Sequence, residues 1–171
     1  MTWLAILVLV AFVAISLGWM RRVRVVFAGS GLLRLCGVVL FVASVFVALT
    51  AVFGGITLSL GIDKFPAQWL VGTPFGSYVI PGLILTVVVG GSATAATVAE
   101  LRESSAGALF SIIGGVILLG WLVGERVILP KEAFLPQFFW LEAIYIGAGL
   151  LMVLPSLVVR WSIHKKAATV V

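Results

Sequence analysis

The chain has 171 residues, 63% of them hydrophobic and only 10% charged, with a net charge of +5 and a mean hydropathy of +1.30. A soluble globular domain is about half apolar and about a quarter charged, so these values exclude an ordinary water-soluble fold and point to an integral membrane protein. The basic excess does not indicate nucleic acid, because the lysines and arginines gather at the ends of apolar runs rather than in a patch with interleaved aromatics. One cysteine, Cys36, rules out an internal disulfide.

A helix needs about 20 apolar residues to cross the hydrocarbon core of a bilayer. Five stretches meet that need or come close to it: residues 2–20, 35–58, 79–99, 107–124 continuing through Val127, Ile128 and Leu129, and 138–159. In lipid the backbone must satisfy its own hydrogen bonds, so each reads as a helix. The expected fold is therefore all-α, a polytopic bundle of about five transmembrane helices.

The first stretch lacks a basic region before it and is followed by Arg21, Arg22 and Arg24. That order predicts an uncleaved anchor with its N-terminus outside. In that orientation eight basic residues (Arg21, Arg22, Arg24, Arg34, Arg102, Arg160, Lys165, Lys166) face the cytoplasm and three (Lys64, Arg126, Lys131) face outward. The asymmetry satisfies the positive-inside rule and places the C-terminus in the cytoplasm. The implied organisation is an anchor helix over residues 1–23, a four-helix bundle over 24–161 and a short basic cytoplasmic tail over 162–171. Trp3, Trp69, Trp121 and Trp140 fall near the outer boundary in this scheme, and Trp19 and Trp161 near the inner one, where indole rings favour the head-group level.

The segment over residues 59–78, SLGIDKFPAQWLVGTPFGSY, is too apolar for a freely solvated loop and is expected to lie on the membrane surface or fold over the helix ends. Thr73 with Pro74, and Ser77 with Pro81, read as helix-start signals. Further on, Gly91 and Ala95 are four residues apart, as are Gly120 and Gly124. Small residues at that spacing let two helices approach closely in lipid, and packing within the chain is the expected use. Gly147 with Gly149 are further small residues that could serve the same end.

At GTPFGSYVIPGLILTVVVGG, residues 72–91, the chain resembles a group of small, largely uncharacterised bacterial four-helix integral membrane proteins, which share the Gly-Thr-Pro-Phe, Tyr and Pro-Gly arrangement leading into an apolar helix. The resemblance extends over residues 24–161. It implies a four-helix unit, with the first stretch here as an added helix, and brings with it no activity, cofactor or catalytic residue.

Chemistry-bearing motifs are scarce. His164 and Cys36 are single and lie on different segments, so no metal-ligand set is spelled out. There is no phosphate loop, dinucleotide fingerprint or nucleophile elbow, and no cofactor is expected. The polar interest lies at the outer ends of the last two stretches. Glu125 and Arg126 close one, and Glu142 sits four residues into the other, on a face shared with Phe138, Tyr145, Gly149 and Met152. A charge there is costly unless paired or hydrated, and Arg126 is the natural partner for Glu142. Glu125, Arg126, Glu142 and Tyr145 form the candidate polar site, with an ion pair locking the last hairpin as one role and a titrating or ligand-binding carboxylate as the other.

These features favour a non-enzymatic protein of the bacterial cytoplasmic (inner) membrane, a helical scaffold or accessory subunit. Its expected partners are membrane lipids and either another membrane protein or further copies of itself. The alternative is a small transporter or proton-coupled permease working through Glu142 and Arg126.

Overall fold

A computed structural model describes residues 31–62, 65–102, 106–129 and 139–168. The first expected membrane stretch, residues 2–20, lies outside the described residues. Among them every regular element is helical: α1 (Gly31–Ser59), a single 3₁₀ turn (Ala67–Leu70), α2 (Val79–Leu101), α3 (Gly107–Ile128) and α4 (Phe139–Ala168). Four of these helices are long and apolar enough to cross a membrane. They form a bundle in which each packs on its sequence neighbour and α4 closes back onto α1, while α1 and α3 barely meet across the diagonal.

The interior holds many small side chains beside a few large ones, Phe41, Leu118 and Met152 among them. Ala43, Ala48, Ala51, Ala93, Ala96, Ala108 and Ala148 are buried with Ser44, Ser111 and Ser156, whereas Leu83, Phe110, Ile113, Val123, Leu150, Leu151 and Leu154 are exposed. A protein folding in water would put its large apolar groups inside. In lipid those groups cost nothing on the outside, and close approach of the backbones becomes the stabilising element.

Two glycine seams show this approach. An added Cβ on Gly55 would stand 2.5 Å from the Gly82 carbonyl oxygen, and one on Gly82 would stand 2.6 Å from that of Gly55, so α1 and α2 touch backbone to backbone. Between α3 and α4, a Cβ on Gly115 would lie 2.9 Å from the Gly149 oxygen. Gly149 was among the small residues expected to pack, but the residues paired by a spacing of four sit elsewhere. Gly91 and Gly120 are exposed, Gly124 is half-buried, and a Cβ on any of the three would meet nothing within 4 Å; Ala95 is also exposed. The intramolecular packing expected of those four residues is therefore made by Gly55, Gly82, Gly115 and Gly149. A pair spaced by four marks a helix face but not which neighbour that face meets, and one residue of phase turns it by about 100°.

The α2 helix contains a π-helical turn over Leu85–Gly90. Such a wide turn inserts an extra residue and rotates the C-terminal part of the helix relative to the N-terminal part. Here it lets Gly82 face α1 near one end of α2 while Val89, Ala93 and Ala96 still reach the core.

At the end of α1, Gly61 adopts φ 65°, and the Ile62 N–H bonds the Thr57 carbonyl at 2.9 Å, a glycine-terminated C-cap that satisfies a free carbonyl. The connection to α2 folds on itself. Phe65 packs against Trp69 and Tyr78, with ring centroids 5.9 Å apart in both cases, and the Tyr78 hydroxyl donates to the Pro66 carbonyl at 2.8 Å. Burial pushes the Tyr78 hydroxyl above the ordinary tyrosine range. Ser77 does not cap α2, whose start at Tyr78 has no side-chain cap, although Pro81 does fall in its first turn. Thr73 instead organises its own turn, donating to the Leu70 carbonyl at 2.8 Å and accepting from the Phe75 N–H at 3.2 Å.

The α4 helix continues through residues expected to be a solvated tail, reaching Ala168. Its last turns hold good helix formers, and the Lys165 ammonium sits over the Trp161 ring at 5.1 Å, one turn away.

Candidate functional site

The chain direction of the bundle brings the end of α3 beside the start of α4, and this places the expected outer polar residues together. Arg126 occupies the last turn of α3 and Glu142 the first turn of α4. Each charge suits the helix end it occupies, a cation where carbonyls are unpaired and an anion where N–H groups are. The guanidinium grips the carboxylate with two parallel bonds: Arg126 Nε donates to Glu142 Oε1 at 2.7 Å, and Nη2 donates to Oε2. This bidentate geometry is the strongest form of such a pair. The Arg126 side chain is 44% exposed and that of Glu142 20%, so the bridge sits at the surface of the bundle end rather than in its interior.

The other two face inward at the same bundle end, with Glu125 near enough to both Glu142 and Tyr145 for its charge to be felt at each. Glu125 is half-buried and turned inward, beside Trp121. Trp121 itself packs against the core with Phe46 and Tyr145, whereas Trp140 and Trp161 are well exposed. Tyr145 stacks at a tilt against Phe46, centroids 5.8 Å apart, with its hydroxyl toward Thr50. The face running from Glu142 through Tyr145, Gly149 and Met152 points at other helices, ending in a Met152 with no exposed surface. Phe138 lies outside the described residues. Among the described residues no three His, Cys, Asp or Glu side chains come together.

A second carboxylate is brought into the protein where the sequence does not advertise it. Glu100 is in the last turn of α2, and its Oε1 accepts hydrogen bonds from Ser44 of α1 at 3.5 Å and from Ser111 of α3. Both serines are fully buried. Glu100 Oε2 is buried too and has no hydrogen-bond partner among the described residues. Glu100 ends the apolar run 79–99 and precedes Arg102, so it reads as the first residue of a solvated loop. The signal that finds it is its phase: it lies four residues beyond Ala96 and therefore on the face that carries Ala93 and Ala96 into the core.

The bundle's charges are unevenly divided. Arg34 near the start of α1, Arg102 after α2, and Arg160 and Lys165 near the end of α4 share one end of the bundle, while Arg126 is at the other. Lys64 and Lys131 lie outside the described residues.

Compared with known proteins, the chain matches no family model, no curated protein and no solved structure.

Proposed function

We propose that this is a non-enzymatic integral protein of the bacterial cytoplasmic membrane, a helical scaffold or accessory subunit that works by packing against partners within the bilayer. The likeness of residues 72–91 to small four-helix membrane proteins belongs to the same proposal. So does the orientation in which the end carrying Arg34, Arg102, Arg160 and Lys165 faces the cytoplasm, in keeping with the positive-inside rule.

The observation that carries the reading is the outward face of α2. Gly91, Thr94 and Ala95 are exposed there, flanked by Val87, Val88 and Val98, and a Cβ on Gly91 would meet nothing of this chain. Large side chains cover most of the bundle's exterior, whereas this face is low enough for another helix to approach closely. At the outer end, Arg126 and Glu142 satisfy each other, so that pair gives no support to a permease acting through those two groups. The partner on the α2 face is a helix of another membrane protein or a second copy of this chain.

Purification in mild detergent or native nanodiscs tests the reading. A stoichiometric protein partner, or a defined homo-oligomer, should accompany the wild-type chain and be lost on Ala95→Leu without loss of thermal stability. A wild-type chain recovered alone and monomeric at native expression, with lipid as its sole companion, would refute it.

A further inference from the structure

Glu100 stands in a polar layer across the bundle. Ser44, Ser111 and Ser156 have no exposed surface. The first two direct their hydroxyls to Glu100 Oε1, and Ser156 donates to the Met152 carbonyl at 2.6 Å. Helical register puts the three serines at one level. One turn away on one side lies the apolar cluster of Leu40, Ala108 and Val159, and one turn away on the other lies that of Ala48, Ala96 and Met152. Within this layer Glu100 Oε2 is the orphan.

A buried anion requires a positive partner, since burying an unpaired charge costs far more than burying a hydroxyl. Among the described residues, the neighbouring elements offer no basic group that bonds to it. Arg102, on α2 itself, is exposed; Arg34 on α1 lies ten residues from Ser44, about 15 Å along the axis. Cys36 on the same helix is eight residues from Ser44, Arg160 on α4 is four past Ser156, and Glu125 and Arg126 of α3 are at the opposite end. A hard metal cation would need about six oxygen ligands, whereas both bonding hydroxyls here are already turned to Oε1. The ion that a single orphan carboxylate oxygen can hold is a proton.

We propose that Glu100 is a proton-binding site of this protein, built by α1, α2 and α3 and independent of the scaffold reading. Water at the arginine-bearing end of the bundle supplies the proton. An O–H bond forms at Oε2 on uptake and breaks on release, while Ser44 and Ser111 donate to Oε1 in both states. Position favours exchange: Glu100 is one residue from the end of α2, and the side chain as a whole is partly exposed although Oε2 is covered. Because Oε1 accepts from both α1 and α3, the carboxyl that gains or loses the proton sits where three helices meet.

The full chain in lipid nanodiscs is treated with N,N′-dicyclohexylcarbodiimide, which adds to a protonated carboxyl in apolar surroundings and leaves an N-acylurea, with no group departing. The adduct is located by peptide mass spectrometry. Glu100 should label in acidic buffer, and labelling should fall about tenfold per unit of pH once past the midpoint, with sodium and potassium salts making no difference. The infrared band of a protonated carboxyl should follow the same pH curve and vanish in Glu100→Gln. Labelling suppressed by sodium at fixed pH would overturn the proposal in favour of a metal cation. Absence of the adduct at every pH, or an adduct indifferent to pH, would overturn it in favour of a purely structural carboxylate. The wild-type measurements decide this even where Glu100→Gln fails to fold.

Discussion

The α1–α2 seam offers the sharpest perturbation, because adding one methyl group at two glycines of the same bundle should have opposite effects. In Gly55→Ala the new Cβ would stand 2.5 Å from the Gly82 carbonyl oxygen and 2.7 Å from the Thr86 nitrogen, both backbone atoms that no rotamer change can move. Ordinary contact begins at 3.4 Å, so α1 and α2 must part by roughly 1 Å, a strain of the kind that costs ~1–3 kcal/mol in a packed interior. The separation also forfeits dispersion contacts along the seam, which in lipid are the main attraction between helices. In Gly91→Ala the Cβ enters open space, and replacing glycine by alanine inside a helix stabilises by ~0.5–1 kcal/mol. For a chain of this size each kcal/mol is worth about 2–4 °C of melting temperature. Gly55→Ala should therefore melt about 2–12 °C below wild type, and Gly91→Ala at or slightly above it, in thermal unfolding followed by circular dichroism in detergent. A Gly55→Ala protein as stable as Gly91→Ala would refute the backbone-contact reasoning.

Met152, with no exposed surface and its methyl group against Gly114, should leave a cavity when cut back; Met152→Ala should lose about 2–4 kcal/mol in the same assay. Glu142→Gln and Arg126→Gln should each lower the melting temperature, and the double variant should lower it by less than the two together, because either single change strands the other group; simple additivity would show that the bidentate pair contributes no coupling. In a Cys36→Ser background, a cysteine replacing the exposed Gln68 should react with an impermeant thiol reagent applied to the outer side of spheroplasts, and one replacing the exposed Arg102 should be protected; the reverse pattern would invert the proposed orientation.

Apolar run length alone locates the membrane-length helices, since the cost of exposing backbone to lipid acts on each segment separately. Residues 35–58, 79–99, 107–124 and 138–159 anticipate α1 to α4 to within a few residues, except where α4 runs on to Ala168. The Arg126–Glu142 pair was legible for a similar reason: a short connection between consecutive helices forces their ends together, and two opposite charges at those ends have few other partners. Beyond Gly149, which small residues meet was not legible. Gly55 against Gly82 and Gly115 against Gly149 are contacts between different helices, and they depend on the rotation of each helix about its own axis. That rotation is shifted in α2 by a π turn for which LTVVVG carries no recognisable signal. Glu100 shows the same division. Its sequence neighbours make it a loop residue, and only the assembled bundle, by bringing Ser44 and Ser111 onto one of its oxygens and covering the other without a partner, takes it out of the loop's solvent. Hydrophobicity is a property of each segment and can be read along the chain; the partner of a buried polar atom is set by three helices at once and exists only once they are packed.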